Sequence, residues 1–248
     1  MTSEGALHLD ELTVPPEFEM GVSTSAWQIE GDSAGRGRCT WDDFADIPGK
    51  IVDGATADPA CDHVHRLQED LDLLAWMGVD AYSFTFSWPR VIPGGVGKTS
   101  ASGLDFYDRL VDGLLARGVR PFATLFHWDT PSELEQAGGW TSRSTSEAFA
   151  EYAAILGEHF ADRIDRWATV NEPWCPAFLG YAAGYFAPGK TDGGAALSAA
   201  YHLMLGHGLA TDRLREMGAR RIGIILNVIP TLGSDPTTAE ATAHVDGI

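Results

Sequence analysis

The residues with the most chemical promise close the run Trp167-Ala168-Thr169-Val170-Asn171-Glu172-Pro173. An apolar stretch ends in an amide beside a carboxyl, and Pro173 then stops it. If Arg166 to Val170 is a buried strand, the pair stands at its carboxyl end, where α/β barrels do their chemistry. A carboxyl that keeps its proton near neutrality can act as a general acid, and apolar burial is what raises its pKa. Trp167 and Trp174 are the expected source of that burial. Asn171 can donate a hydrogen bond to a ligand hydroxyl. A helix-starting or solvated acid at 172 fits the same spacing equally well. Phe126-His127-Trp128-Asp129 ends a second apolar run. There the indole could cover a pyranose face and the imidazole could exchange a proton with a hydroxyl. The plainer alternative is a packing tryptophan beside a strand-end histidine. In Ser25-Ala26-Trp27-Gln28-Ile29-Glu30-Gly31, Gln28 offers a carbonyl and an amide to vicinal hydroxyls, and Glu30 can pair with Arg36 or Arg38. Sugar cleavage is the chemistry these groups suggest, and it ordinarily takes two carboxylates. Glu30, Asp129 and Glu133 are the other acids expected near strand ends.

Other motifs read as architecture. In Asp62-His63-Val64-His65 the histidines are two apart with no third ligand nearby, which suits a helix start capped by Asp62 better than a metal site. Gly94-Gly95-Val96-Gly97 lacks the lysine and hydroxyl of a phosphate loop. No GxSxG nucleophile elbow occurs. Cys39, Cys61 and Cys175 are widely spaced, so neither a disulfide framework nor a cysteine zinc site is expected.

These candidates must be positioned by alternating helices and strands. Val64, Leu67, Leu71, Leu74 and Met77 recur at helical spacing before Gly78, and Val79 to Ser87 follows as a strand. Leu104 to Leu115 repeats the helical pattern up to Gly118, and Arg120 to Phe126 is the next strand. Phe149, Tyr152, Leu156 and Phe160 line a third helix that leads into Ile164 to Val170. A fourth helix runs from about Ala195 to Met217 and leads into Arg221 to Val228. With Phe18 to Ser23 as the first strand, the count is five strands and four helices. Short apolar strands separated by helices predict a parallel sheet covered by helices. Phe84 and Leu125 are expected to point into a barrel interior. The long segments from Ala34 to Cys61 and from Asn171 to Gly194 follow strands and belong to the catalytic face. A further helix is expected to begin near Ala239. Five strands cannot close an eight-stranded barrel, so the expectation is an open sheet whose edges invite self-association.

The 248 residues carry 35 acidic and 17 basic side chains, a formal net charge of -18. That balance argues against nucleic acid or an anionic membrane as partner and suits a neutral ligand. The first residues lack the apolar core of a signal peptide and no 18-residue apolar stretch occurs, so a cytoplasmic protein is expected.

Taken in order, Ala26-Trp27-Gln28-Ile29-Glu30-Gly31, Gly35-Arg36-Gly37, His63 to Asp70, Ser87-Trp88-Pro89-Arg90, His127-Trp128, Gly138-Gly139-Trp140 and Thr169-Val170-Asn171-Glu172-Pro173 resemble glycoside hydrolase family 1, the β-glucosidases. The likeness runs from about residue 14 to residue 248. It implies an α/β fold of the (β/α)8 TIM-barrel type, here truncated to roughly the first five β/α units, with residues 1–248 forming a single incomplete domain. It implies Glu172 as acid/base of a retaining mechanism. Gln28, His127 and Asn171 would bind sugar hydroxyls, and Trp128 would shape the subsite. The expected ligand is a β-glucoside or oligosaccharide, with no cofactor and no metal. The family's nucleophile, a glutamate in a Thr-Glu-Asn-Gly motif after the seventh strand, is absent from this sequence. A non-catalytic fragment that at most binds a sugar or a partner is the alternative. Ser83, in Tyr82-Ser83-Phe84-Thr85, stands where the family usually has an arginine that supports the nucleophile. Thr130 stands where it usually has leucine.

Overall fold

The alternation of helical and strand periodicities folds as one parallel sheet with helices between successive strands. The computed structural model describes residues 15–228. In it five strands lie in the order in which they occur along the chain. They are β1 (Gly21–Ser23), β2 (Ala81–Thr85), β3 (Arg120–Phe126), β4 (Arg166–Asn171) and β5 (Arg221–Ile225). Every pairing is parallel, so all carboxyl ends share one side of the sheet. The long helices are α1 (His63–Met77), α2 (Ala101–Ala116), α3 (Arg143–Phe160) and α4 (Gly193–Glu216). The segment before residue 15 and the helix expected to begin near Ala239 lie outside the described residues.

Local chemistry sets the ends of these helices. The Ser100 hydroxyl accepts the Gly103 N–H at the start of α2, and the Asp192 carboxylate accepts the Gly194 and Ala195 N–H groups at the start of α4. Such caps satisfy amide donors that the helix itself leaves open. Gly78 ends α1 in the left-handed region at φ 66°, where a side chain would be strained. Asp62 precedes α1 as expected, but it does not cap it through its side chain. Its carboxylate instead meets His65 Nδ1 at 2.6 Å, while His63 Nδ1 meets Asp70 at 2.6 Å.

Two expectations need correction. The first strand is shorter than Phe18 to Ser23, because Phe18 and Met20 are more than half exposed and the Met20 N–H donates to the Asp80 carboxylate rather than to a neighbouring strand. Phe84 and Leu125 do not point into a barrel interior. In Tyr82-Ser83-Phe84-Thr85-Phe86 the large rings alternate with small polar groups, and the helices cover the aromatic face. Phe84 stacks on Tyr107 of α2 at 6.4 Å. Phe86 packs against Tyr107, Phe160 of α3 and Trp167 of β4. The register pairs Thr85 with Thr124, Thr124 with Ala168, and Ala168 with Gly223, which makes that row of the opposite face small and polar, with Phe122 beside Ser83 the large ring on it.

Beyond β2, Trp88 lies 9° from parallel and 5.2 Å from Tyr152 of α3, and both are fully buried. Truncating such a ring costs about 3–5 kcal/mol, so this layer fixes the sheet against the helices. Among the described residues no helix is long and apolar enough to cross a membrane.

Candidate active site

Strands β1, β3 and β4 present the residues at their carboxyl ends on one end of the sheet. β3 leaves the sheet at His127 and Trp128, and β4 leaves it at Asn171 and Glu172. Trp128 has φ 75° and Glu172 has φ 47°. Left-handed backbone in non-glycine residues costs on the order of 1–3 kcal/mol and concentrates at functional sites. Here hydrogen bonds hold it in place. The Trp128 indole N–H donates to the Asn171 carbonyl at 2.8 Å, and the Glu172 N–H donates to the Ile225 carbonyl at 2.8 Å.

The side chain of Asn171 reaches across to β3. Its amide nitrogen lies 3.2 Å from His127 Nε2. With the amide as donor, Nε2 accepts and the imidazole proton sits on Nδ1, free for a ligand hydroxyl. Burial holds the His127 imidazole down to about 4, so the ring is neutral near pH 7.

His127 and Trp128 line a cleft of about 220 Å³ together with Ser25, Trp27, Gln28, Trp41 and Phe186. Trp27 and Trp41 lie 5.5 Å apart, Trp41 and Phe186 5.6 Å, and Phe186 and Trp128 5.5 Å. The result is a continuous aromatic wall. Gln28 is exposed to the cleft, and its carbonyl accepts the Ser25 hydroxyl at 2.7 Å, which leaves the amide N–H groups and one lone pair for a ligand. Aromatic faces beside a few fixed polar groups are the pattern of a carbohydrate site.

All five residues singled out in the sequence therefore stand at the carboxyl ends of the strands. Gln28, His127 and Trp128 line the cleft directly, Asn171 adjoins it through its bonds to His127 and Trp128, and Glu172 follows Asn171 in the chain. The expected burial of Glu172 by two tryptophans is not found. Trp167 lies near the start of β4 with its indole N–H on the Ile164 carbonyl, and Trp174 is about half exposed. Glu172 is only half-buried, and the Cys175 thiol donates to its Oε2 at 3.3 Å. Trp41 and Phe186 were not singled out, because nothing local marks aromatic loop residues as converging.

The other acids are engaged elsewhere, and no carboxylate lines the cleft among the described residues. Glu30 does not pair with Arg36 or Arg38. It accepts Arg90 Nε at 2.8 Å and the Tyr107 hydroxyl at 2.6 Å, while Arg36 pairs with Asp42. The Arg90 guanidinium also binds the Gly31 carbonyl and Asp32, which anchors the loop that presents Gln28. Asp129 is buried, and burial first, then the charge of Glu30, raises its carboxyl to about 8. Ser87 lies near enough to favour the charged form, yet no hydrogen bond of ordinary geometry reaches either Asp129 oxygen. Glu133 is exposed on the short helix Ser132–Gln136. Thr130 has a visible purpose, since its hydroxyl accepts the Trp140 indole N–H at 3.0 Å.

Comparison with known proteins matches this geometry. Residues 10–246 fit the sequence profile of glycosyl hydrolase family 1. The thermostable beta-glucosidase B of Thermobispora bispora is 44% identical over 238 residues, which cover 96% of this chain and 50% of that protein. A beta-glucosidase of an Agrobacterium species is also 44% identical, covering 92% and 50%. Among solved structures, a psychrophilic beta-glucosidase from Micrococcus antarcticus superposes with a TM-score of 0.91 at 46% identity, covering 96% of this chain and 51% of that one. A family 1 enzyme from Thermotoga maritima in complex with isofagomine lactam gives 0.91 at 40% identity, covering 94% and 53%. These neighbours are (β/α)8 barrels, and the five β/α units here correspond to a truncated form of that barrel. The chain spans about half the length of the curated relatives it matches.

Proposed function

The chain belongs to glycosyl hydrolase family 1, and from that premise we propose that it supplies the acid/base half of a retaining β-glucoside-hydrolysing site. Glu172 is the general acid/base: it protonates the glycosidic oxygen as the bond breaks, then takes a proton from the incoming water. Gln28, His127 and Asn171 hold the hydroxyls of the non-reducing glucosyl unit, and Trp128 shapes the pocket around its ring. Asn171 carries this reading. Its side chain bonds His127 while its carbonyl takes the Trp128 indole N–H, so the residue before Glu172 is tied to both members of the sugar-facing pair.

The substrate class is a neutral β-glucoside or oligosaccharide. The net charge of -18 supports this, as do the names of the relatives and the deoxynojirimycin and glucoimidazole complexes of the Thermotoga maritima protein. No nucleic acid or membrane partner belongs to the proposal. Residues 1–248 form one incomplete barrel domain in this account, and the three free cysteines suit the reducing cytoplasm.

Retention needs a nucleophilic carboxylate about 5–5.5 Å from the acid/base, and the described cleft offers none. The proposal is therefore sugar binding without turnover for the 248 residues alone. Titrating isotope-labelled protein with methyl β-glucoside tests the binding. The indole N–H signals of Trp128 and Trp27 and the side-chain amide of Gln28 should shift together. Shifts confined to other residues, or no shift at saturating sugar, would contradict the assignment.

A further inference from the structure

Resting on the reading of Glu172 as acid/base, we propose that Cys175 is its positioning residue: the thiol donates to one carboxyl oxygen and leaves the other to carry the catalytic proton. Cys175 holds residue 172 at two points. Its backbone N–H donates to the Glu172 carbonyl at 2.9 Å, and its Sγ–H donates to Oε2 at 3.3 Å. The Glu172 N–H is meanwhile committed to Ile225, so the left-handed turn at 172 is pinned on both sides. Cys175 is only 4% exposed and opens the wide-turn helix Cys175–Ala182, with Pro176 next in line. The sulfur is therefore buried on an anchored backbone, with a single side-chain torsion left to place it.

Among the described residues, no other hydrogen bond reaches the Glu172 carboxyl. When that carboxyl is protonated, the S–H donor on Oε2 places the proton on Oε1. The thiol persists as a donor because burial first, then the neighbouring Glu172 carboxylate, pushes it up to about 11, with the Asn227 side chain opposing in part. A thiol is also a weak donor. It therefore orients the carboxyl through one directional contact without displacing a ligand from the other oxygen.

Infrared spectroscopy of the S–H stretch in the 248-residue chain tests this, because that band lies clear of other protein absorptions. Subtracting the spectrum of Cys175→Ala identifies the Cys175 band against those of Cys39 and Cys61. The band should sit below the free-thiol position and move back toward it in Glu172→Gln. If Cys175→Ala does not fold, comparison of the unmodified chain with Glu172→Gln still reads the shift. In a carboxyl-carbon NMR spectrum the Glu172 signal should move in Cys175→Ala and return most of the way in Cys175→Ser, an effect that simple packing would not reproduce. A Cys175 band at the free-thiol position, indifferent to Glu172→Gln, overturns the inference. An intact band shift in a chain whose Trp128 indole ignores β-glucosides would instead overturn the functional reading and leave the contact standing.

Discussion

Replacing Asp129 by asparagine should stabilise the protein at neutral pH. Asp129 is 2% exposed, and neither carboxyl oxygen has a hydrogen-bond partner. Burial is the main cause that raises its carboxyl from 3.8 to about 8, with Glu30 adding to the effect and Ser87 and Arg36 opposing it. The folded chain therefore holds this proton at pH 7, whereas the unfolded chain gives it up near 3.8. Since the folded form binds more protons between about pH 4 and pH 8, stability falls as pH rises through that window. Holding the proton at pH 7 costs up to about 4 kcal/mol. Asparagine buries a neutral group of the same shape with the same unpaired polar atoms, so that penalty disappears while the desolvation cost stays similar. Urea unfolding should show Asp129→Asn more stable by on the order of 1–4 kcal/mol at pH 7, with the gain shrinking toward zero near pH 4. A gain that does not change with pH would mean that folding does not raise the Asp129 carboxyl, and a loss at pH 7 would mean that it is ionised and partnered in the folded protein; either result would refute the reasoning.

Arg90→Met should have the opposite effect, because it strands the buried Glu30 carboxylate. Breaking one partner of a buried pair costs about 3–5 kcal/mol, and a loss below about 1 kcal/mol in urea would show that Glu30 is not held as a buried charge. His127 is held down to about 4 by burial, so the unfolded chain takes up its proton first and the contribution to stability is lost as pH falls from about 6.5 to about 4. An NMR titration of the His127 ring should find it neutral at pH 6, and a midpoint near 6.5 would count against the buried placement. Strands β1 and β5 each have a single neighbour among the described residues, and open ladder edges promote association. Sedimentation should show concentration-dependent oligomers, whereas a compact monomer that unfolds cooperatively would contradict this.

What could be read from the sequence depended on the range of the interaction. The strand Arg120–Phe126 has the bounds its apolar run suggests, and α1 stops at Gly78 as its spacing requires. Both are local matters of periodicity and glycine geometry. Placement of Gln28, His127, Trp128 and Asn171 at one end of the sheet follows from strand polarity, which alternating helices and strands imply. The partner of Glu30 could not be read, because Arg90 is sixty positions away and two nearer arginines competed for the assignment. Trp167 stands too far from Glu172 to bury it, because a strand rises about 3.3 Å per residue, which puts it far down β4. The facing of Phe84 was available in the alternation of Tyr82, Phe84 and Phe86, but it depended on recognising that the helices, and not the barrel interior, take the large rings. The wide-turn helix Cys175–Ala182 carries no ordinary helical periodicity, so nothing in the sequence pattern points to the thiol beside Glu172.

The central claim is that this chain brings the acid/base and the sugar-binding groups to the site, and that its described cleft holds no nucleophile. General acid catalysis alone contributes roughly 10²–10⁴ in rate, well short of the accelerations of about 10⁶–10¹⁷ that enzymes achieve. Incubating the purified 248-residue chain with an aryl β-glucoside, beside its Glu172→Ala variant, measures this directly. The account predicts essentially no turnover and no difference between the two proteins. Robust turnover that disappears in Glu172→Ala would contradict it, because a second carboxylate would then have to act at this site.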